Sequence, residues 1–156
     1  MPSYREDPDL KTVGSGLIAK HYPLLKEISI AYLFRDEVSI TNGKAIAGRM
    51  IKCDDRSKAL HGKDVIIEIA YPIWEDATAN FREALMDHEL MHIGLKVDGQ
   101  GQIEKFDNGS PKIYARMHDV EEFNEVLERH KQWNTQLRDF LQKYEVKEKK
   151  VLVKTT

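Results

Sequence analysis

The sequence predicts an α+β fold, and three features carry that expectation. Short strand-like segments cluster between Ile28 and Ala70. Segments with helical period flank them on both sides. The length of 156 residues, with 41% hydrophobic and 32% charged content, suits one domain around a single core. The expected architecture is a small three- to four-stranded, mostly antiparallel sheet packed on a central helix, with an N-terminal helix and a long C-terminal helix. Residues 1–8 read as a flexible arm, 9–145 as the domain and 146–156 as a Lys-rich tail.

Each element has its own signal. Asp9 can cap a helix reaching about His21, with Leu10, Val13, Leu17 and Ile18 at helical spacing, although Gly14 and Gly16 weaken it. Ile28 to Arg35 alternates, placing Ile28, Ile30, Tyr32 and Phe34 on one face. Asn42-Gly43 marks a turn, Ala45 to Cys53 a second strand, and Asp54 to Lys63 a polar connection. Val65 to Ala70 is nearly continuous β-branched sequence, as in a strand buried on both faces. Asp76 or Thr78 can cap a helix running to about Val97, ended by Asp98-Gly99-Gln100-Gly101 with Gly99 in the left-handed position. Gln102 to Phe106 and Pro111 to Met117 can pair around Asp107-Asn108-Gly109. The last helix starts at Asp119, where Asp119-x-x-Glu122 has capping-box spacing, and Phe123 to Tyr144 supplies its apolar stripe.

Composition narrows the function classes. Twenty-four basic and 26 acidic residues give a net charge of −2, which argues against a dedicated nucleic-acid module. No apolar run approaches the roughly 20 residues that cross a bilayer, and the first residues lack a signal-like apolar stretch, so no membrane association is expected. A single cysteine, Cys53, excludes an internal disulfide framework; the expected location is cytoplasmic.

His88-Glu89-Leu90-Met91-His92 is an HExxH motif inside the second predicted helix. Spacing i, i+4 puts both imidazoles on one helical face, where they can share a Zn2+ ion. Glu89, rotated by roughly 100° from His88, can reach a metal-bound water and take its proton. Phe81, Ala84, Leu85, Met91 and Leu95 share the histidine face and Met86, Leu90, Ile93 and Val97 the opposite one, so the helix is expected to be sandwiched.

Zinc needs a third protein ligand. Asp98 lies six residues after His92, but the glycine that would bend the chain back there is replaced by Leu95. Glu121 and Glu122 are alternatives, although helix capping and the helix dipole explain both. His118, at the end of a candidate strand, is favoured. An extended Pro111 to His118 points Lys112, Tyr114, Arg116 and His118 one way and Ile113, Ala115 and Met117 toward the core. Tyr114 and Arg116 would then stand beside the metal, where either could stabilise an oxyanion. His21 suits a helix end, His61 a polar loop, His130 a hydrogen-bonded core position, and Cys53 a small buried residue.

The stretches Ala84-Leu85-Met86-Asp87-His88-Glu89-Leu90-Met91-His92-Ile93 and Met117-His118-Asp119-Val120-Glu121-Glu122-Phe123 resemble the phage metallopeptidase family, related in outline to SprT-like zinc proteases. The resemblance implies a minimal zincin-like fold, zinc on His88, His92 and His118, and Glu89 as base. It also implies an edge strand that pairs with an extended peptide.

The leading expectation is therefore a zinc-dependent metallopeptidase acting on a peptide or protein substrate, with Glu89, Tyr114 and Arg116 as catalytic groups. The alternative is a zinc-stabilised protein-interaction module without turnover. A phosphate-loop enzyme is disfavoured, because Gly99-Gln100-Gly101 follows a helix rather than opening one.

Overall fold

The computed structural model describes residues 1–118, 129–130 and 142–143. They fall in two compact units, Met1–Met117 and His118–Thr156. The expected last helix, Asp119, Glu121, Glu122 and the tail lie outside the described residues, apart from short helical pieces at 129–130 and 142–143.

The first unit is α+β. In chain order it contains β1 (Tyr4–Glu6), α1 (Pro8–His21), a 3-10 turn (Pro23–Glu27), β2 (Ile30–Arg35), β3 (Ser39–Thr41), β4 (Lys44–Ile46) and β5 (Gly48–Lys52). It continues with α2 (Asp55–His61), β6 (Val65–Ala70), α3 (Tyr71–Asp76), α4 (Ala79–Met91), β7 (Ile93–Leu95) and β8 (Ile113–Ala115). No helix among the described residues is long and apolar enough to cross a membrane.

Four strands form a mixed sheet in the order β1-β2-β6-β5. β1 and β5 are antiparallel to their neighbours, whereas β2 and β6 run parallel, Ile30 opposite Val65 through Arg35 opposite Ala70. The β-branched run of β6 is central, with Val65, Ile67 and Ile69 fully buried. The expected face of β2 holds in part: Tyr32, Phe34 and the preceding Ile28 are buried, and Ile30 is half-buried. One face of the sheet receives the helices. Tyr32 passes beside α1 at Gly14, Phe34 packs edge-on against Tyr71 and Trp74 of α3, and Ile69 meets the α4 side near Gly48. Glu68, buried between β2 and β5, is flanked by Arg35 at 3.6 Å and Arg49 at 3.8 Å, the partners a buried carboxylate needs.

Several boundaries differ from the sequence reading. Residues 4–6 are not an arm: their backbone pairs with β2, a signal that three exposed polar residues do not carry. Asp36 secures this strand by accepting from the Ser3 amide at 2.8 Å and the Ser3 hydroxyl at 2.7 Å. These bonds, the hydroxyl first, hold the Asp36 carboxyl below its ordinary range. A depressed folded-state pKa stabilises above the unfolded value and loses that contribution as pH falls through the folded one. Ser3→Ala should therefore raise the Asp36 titration midpoint, measured by carboxyl NMR, and flatten the acid limb of the stability curve.

The polar connection is a helix, α2. Asp54 caps it by accepting from the Ser57 amide at 2.8 Å, and Gly62 ends it at φ 72°. The single strand expected over Ala45 to Cys53 is two, β4 and β5. β4 belongs to a separate hairpin with β3, turned by Asn42 and Gly43 at φ 51° and 75°.

Thr78 does cap the motif helix, accepting from the Phe81 amide at 3.2 Å, but α4 ends at Met91 rather than near Val97. Ile93 to Leu95 leave it to pair with β8, and Gly101 rather than Gly99 takes positive φ, at 78°. The helix is also not sandwiched. Met86, Glu89 and Leu90 are buried, while Phe81 and Met91 are exposed. The expected hairpin around Asp107-Asn108-Gly109 forms through the bridge of Lys105 with Pro111, and Gly109 has φ 88°. Beyond it the core contact stops at Ile113, since Ala115 and Met117 are exposed.

Candidate metal centre

α4 places His88 in its last turn, and His92 caps its C-terminus in helical geometry. The two Nε2 atoms are 3.3 Å apart. Two nitrogens on a tetrahedral zinc, each at about 2.0–2.1 Å, are about 3.3–3.4 Å apart. The pair therefore already has the separation of one edge of a zinc coordination tetrahedron. His118 completes a group of three histidines whose ligating atoms lie within 4.8 Å of one another. This cluster can chelate a metal ion, in agreement with the expectation of Zn2+.

The orientation of His92 comes from a neighbour that the sequence reading did not name. Its Nδ1 lies 2.7 Å from the Arg116 main-chain carbonyl. A carbonyl oxygen only accepts, so Nδ1 carries the proton and donates. In the neutral ring the lone pair is then on Nε2, facing His88. The Arg116 amide also donates to the His92 carbonyl at 2.8 Å. No side-chain pattern reports such a main-chain acceptor.

The Tyr22 hydroxyl donates to the Asp87 carboxylate, linking the end of α1 to the residue before His88. Burial first, then the hydrogen bond and charge of Asp87, push the Tyr22 phenol well above its ordinary range, partly opposed by Arg116.

The remaining predicted site residues fall as follows. Glu89 is 4% exposed, and a methyl group on Gly48 of β5 would stand 3.1 Å from its Cγ. The turn of α4 that exposes His88 sends Glu89 inward against the sheet. Tyr114 is exposed with its ring across Gly94, and the Arg116 guanidinium donates to the Met91 sulfur at 3.1 Å. Asp98 holds the turn after β7, accepting from the amides of Gln100 and Gln102 at 2.8 and 3.1 Å. His61 Nδ1 accepts from the Lys63 amide. Cys53 is buried and its thiol is pushed up by that burial, as a packing residue would be. His130 is exposed rather than a core histidine.

These positions correct the mechanistic expectation. Among the described residues, the group that can hold a metal consists of three imidazoles and includes no glutamate. The assignment of an active zinc hydrolase or protease, built on the HExxH motif with Glu89 as general base, is overturned by that composition. The catalytic roles given to Tyr114 and Arg116 depended on it.

A family comparison then places the chain. Residues 2–145 match the family described as "Putative phage metallopeptidase", and the chain belongs to that family. Among curated proteins and solved structures, none matches.

Proposed function

We propose that this member of the family is a zinc-stabilised protein-interaction module that binds a partner without turning it over. The observation that carries the reading is the all-imidazole cluster of His88, His92 and His118, with two Nε2 atoms already at tetrahedral spacing. In this role zinc contributes folding free energy and fixes the C-terminal end of α4. The partner would be an extended protein segment added to the sheet at β5, which ends the strand order and leaves Ile51 exposed. The zincin-like character of the fold is part of the same proposal, supported by family membership and by a histidine-bearing helix beside a small sheet. A cytoplasmic setting is proposed from the single, buried cysteine.

The test combines metal content with cleavage. Protein purified without a metal-binding tag should carry about one zinc per chain, a content that His88→Ala abolishes. Incubation of the zinc-loaded protein with a degenerate peptide mixture should generate no new amino termini. Zinc-dependent cleavage that disappears in Glu89→Gln would overturn the module reading. A folded protein that takes up no zinc would overturn the site itself.

A further inference from the structure

We infer that Tyr114 is a positioning residue for the metal centre: its ring, seated on Gly94, fixes β8 against β7 and so holds the Arg116 carbonyl on His92. The inference rests on the reading of the histidines as zinc ligands.

β7 and β8 are three residues each, a ladder too short to set its own register securely. Gly94 lies directly opposite Tyr114. A side-chain carbon on Gly94 would overlap the Tyr114 ring, so the ring lies across the β7 backbone where only a glycine leaves room. An aromatic ring covering a cross-strand glycine is a recognised device for pinning strand register. Two residues before Gly94 and two after Tyr114, the same register delivers the metal-site contacts. The Arg116 amide donates to the His92 carbonyl at 2.8 Å, and the Arg116 carbonyl accepts from His92 Nδ1 at 2.7 Å. A slip of one residue would remove the carbonyl from Nδ1 and release the tautomer that turns the Nε2 lone pair toward His88. Tyr114 thus acts through Gly94 and Arg116, with its ring rather than its hydroxyl.

The experiment compares Tyr114→Phe, Tyr114→Ser and Gly94→Ala by zinc affinity, using competition with a chromophoric chelator, and by the melting temperature of the metal-free protein. Tyr114→Phe should bind zinc within about 2-fold of wild type. Tyr114→Ser and Gly94→Ala should bind about 10–100-fold more weakly, the usual effect of removing a ligand's orienting partner. An affinity unchanged in Tyr114→Ser, with only the metal-free melting temperature lowered, would overturn the inference. So would a Phe variant as weak as Ser, because that places the hydroxyl itself at the metal. Imidazole 15N NMR of the metal-free protein supplies an independent reading. His92 should be protonated on Nδ1 in wild type and Tyr114→Phe, and a tautomer mixture in Tyr114→Ser. If Tyr114→Ser does not fold, Tyr114→Leu serves in its place. Failure of wild type to bind zinc would sink the underlying reading alone, and the NMR comparison would still decide the role of Tyr114.

Discussion

Stripping zinc with a strong chelator should lower the melting temperature of the protein by about 8–16 °C. A ligand present at about 1,000 times its dissociation constant stabilises the folded state by about 4 kcal/mol. A domain of about 150 residues loses roughly 2–4 °C per kcal/mol. His92→Ala should reproduce the shift and make the protein insensitive to chelator. It removes one nitrogen of the 3.3 Å pair and also the donor that satisfies the Arg116 carbonyl. Glu89→Gln should leave the zinc-dependent part of the shift intact, because the cluster holds no carboxylate. His21→Ala, an exposed histidine outside the cluster at the C-terminal end of α1, is the control, and its zinc-dependent shift should match that of wild type. Identical melting of metal-free and zinc-loaded wild type, measured by calorimetry, would remove the stabilising role.

Two glycines in one helix should respond to alanine with opposite signs. By intrinsic propensity, each substitution in α1 should gain about 1 kcal/mol. Gly16 has open space where a side-chain carbon would go, and Gly16→Ala should realise most of that gain. At Gly14 the added carbon would stand 2.5 and 2.6 Å from two Tyr32 ring carbons and 2.6 Å from its hydroxyl oxygen. Tyr32 is 7% exposed, with its phenol pushed up to about 12 by burial, so the ring has nowhere to retreat. Overpacking costs about 1–3 kcal/mol, and with three Tyr32 atoms this close the cost falls above the lower end of that range and outweighs the propensity gain. Gly14→Ala should therefore destabilise by a net of up to about 2 kcal/mol in urea unfolding. A stabilised Gly14→Ala would mean that α1 can lift off β2.

What the sequence could convey follows from where each signal resides. Periodicity is written in side chains, so α1, β2 and β6 were legible, as was the Thr78 start of α4, whereas the cap of α1 is Asp7, accepting from the Asp9 amide, and not Asp9. Of the two glycines that lower the helix propensity of α1, Gly14 admits Tyr32, a contact made with a strand encountered later in the chain. The early end of α4 was hidden for a similar reason. Leu95 and Val97 continue an apolar pattern that a helix would use, and only pairing with β8 diverts it. At the site, the helical spacing of His88 and His92 is in the sequence, whereas His118, which the candidate cluster brings to them, lies three residues past the end of β8 rather than in a strand. The inward burial of Glu89 was not, because the motif gives its angle on the helix but not which neighbour stands at that angle. Nor was the hold on His92, since a main-chain carbonyl has no letter of its own.

The pairing of Tyr4–Glu6 with β2 makes the first residues a seal. β2 is hydrogen-bonded to β6 along its other side, so removing residues 1–7 would bare the margin of Leu33–Arg35, the three residues of β2 that β1 covers. Such a margin recruits strands from other chains. A shortened protein would then self-associate with its metal site intact, and the effect of an amino-terminal deletion should be read first as a change in colloidal behaviour.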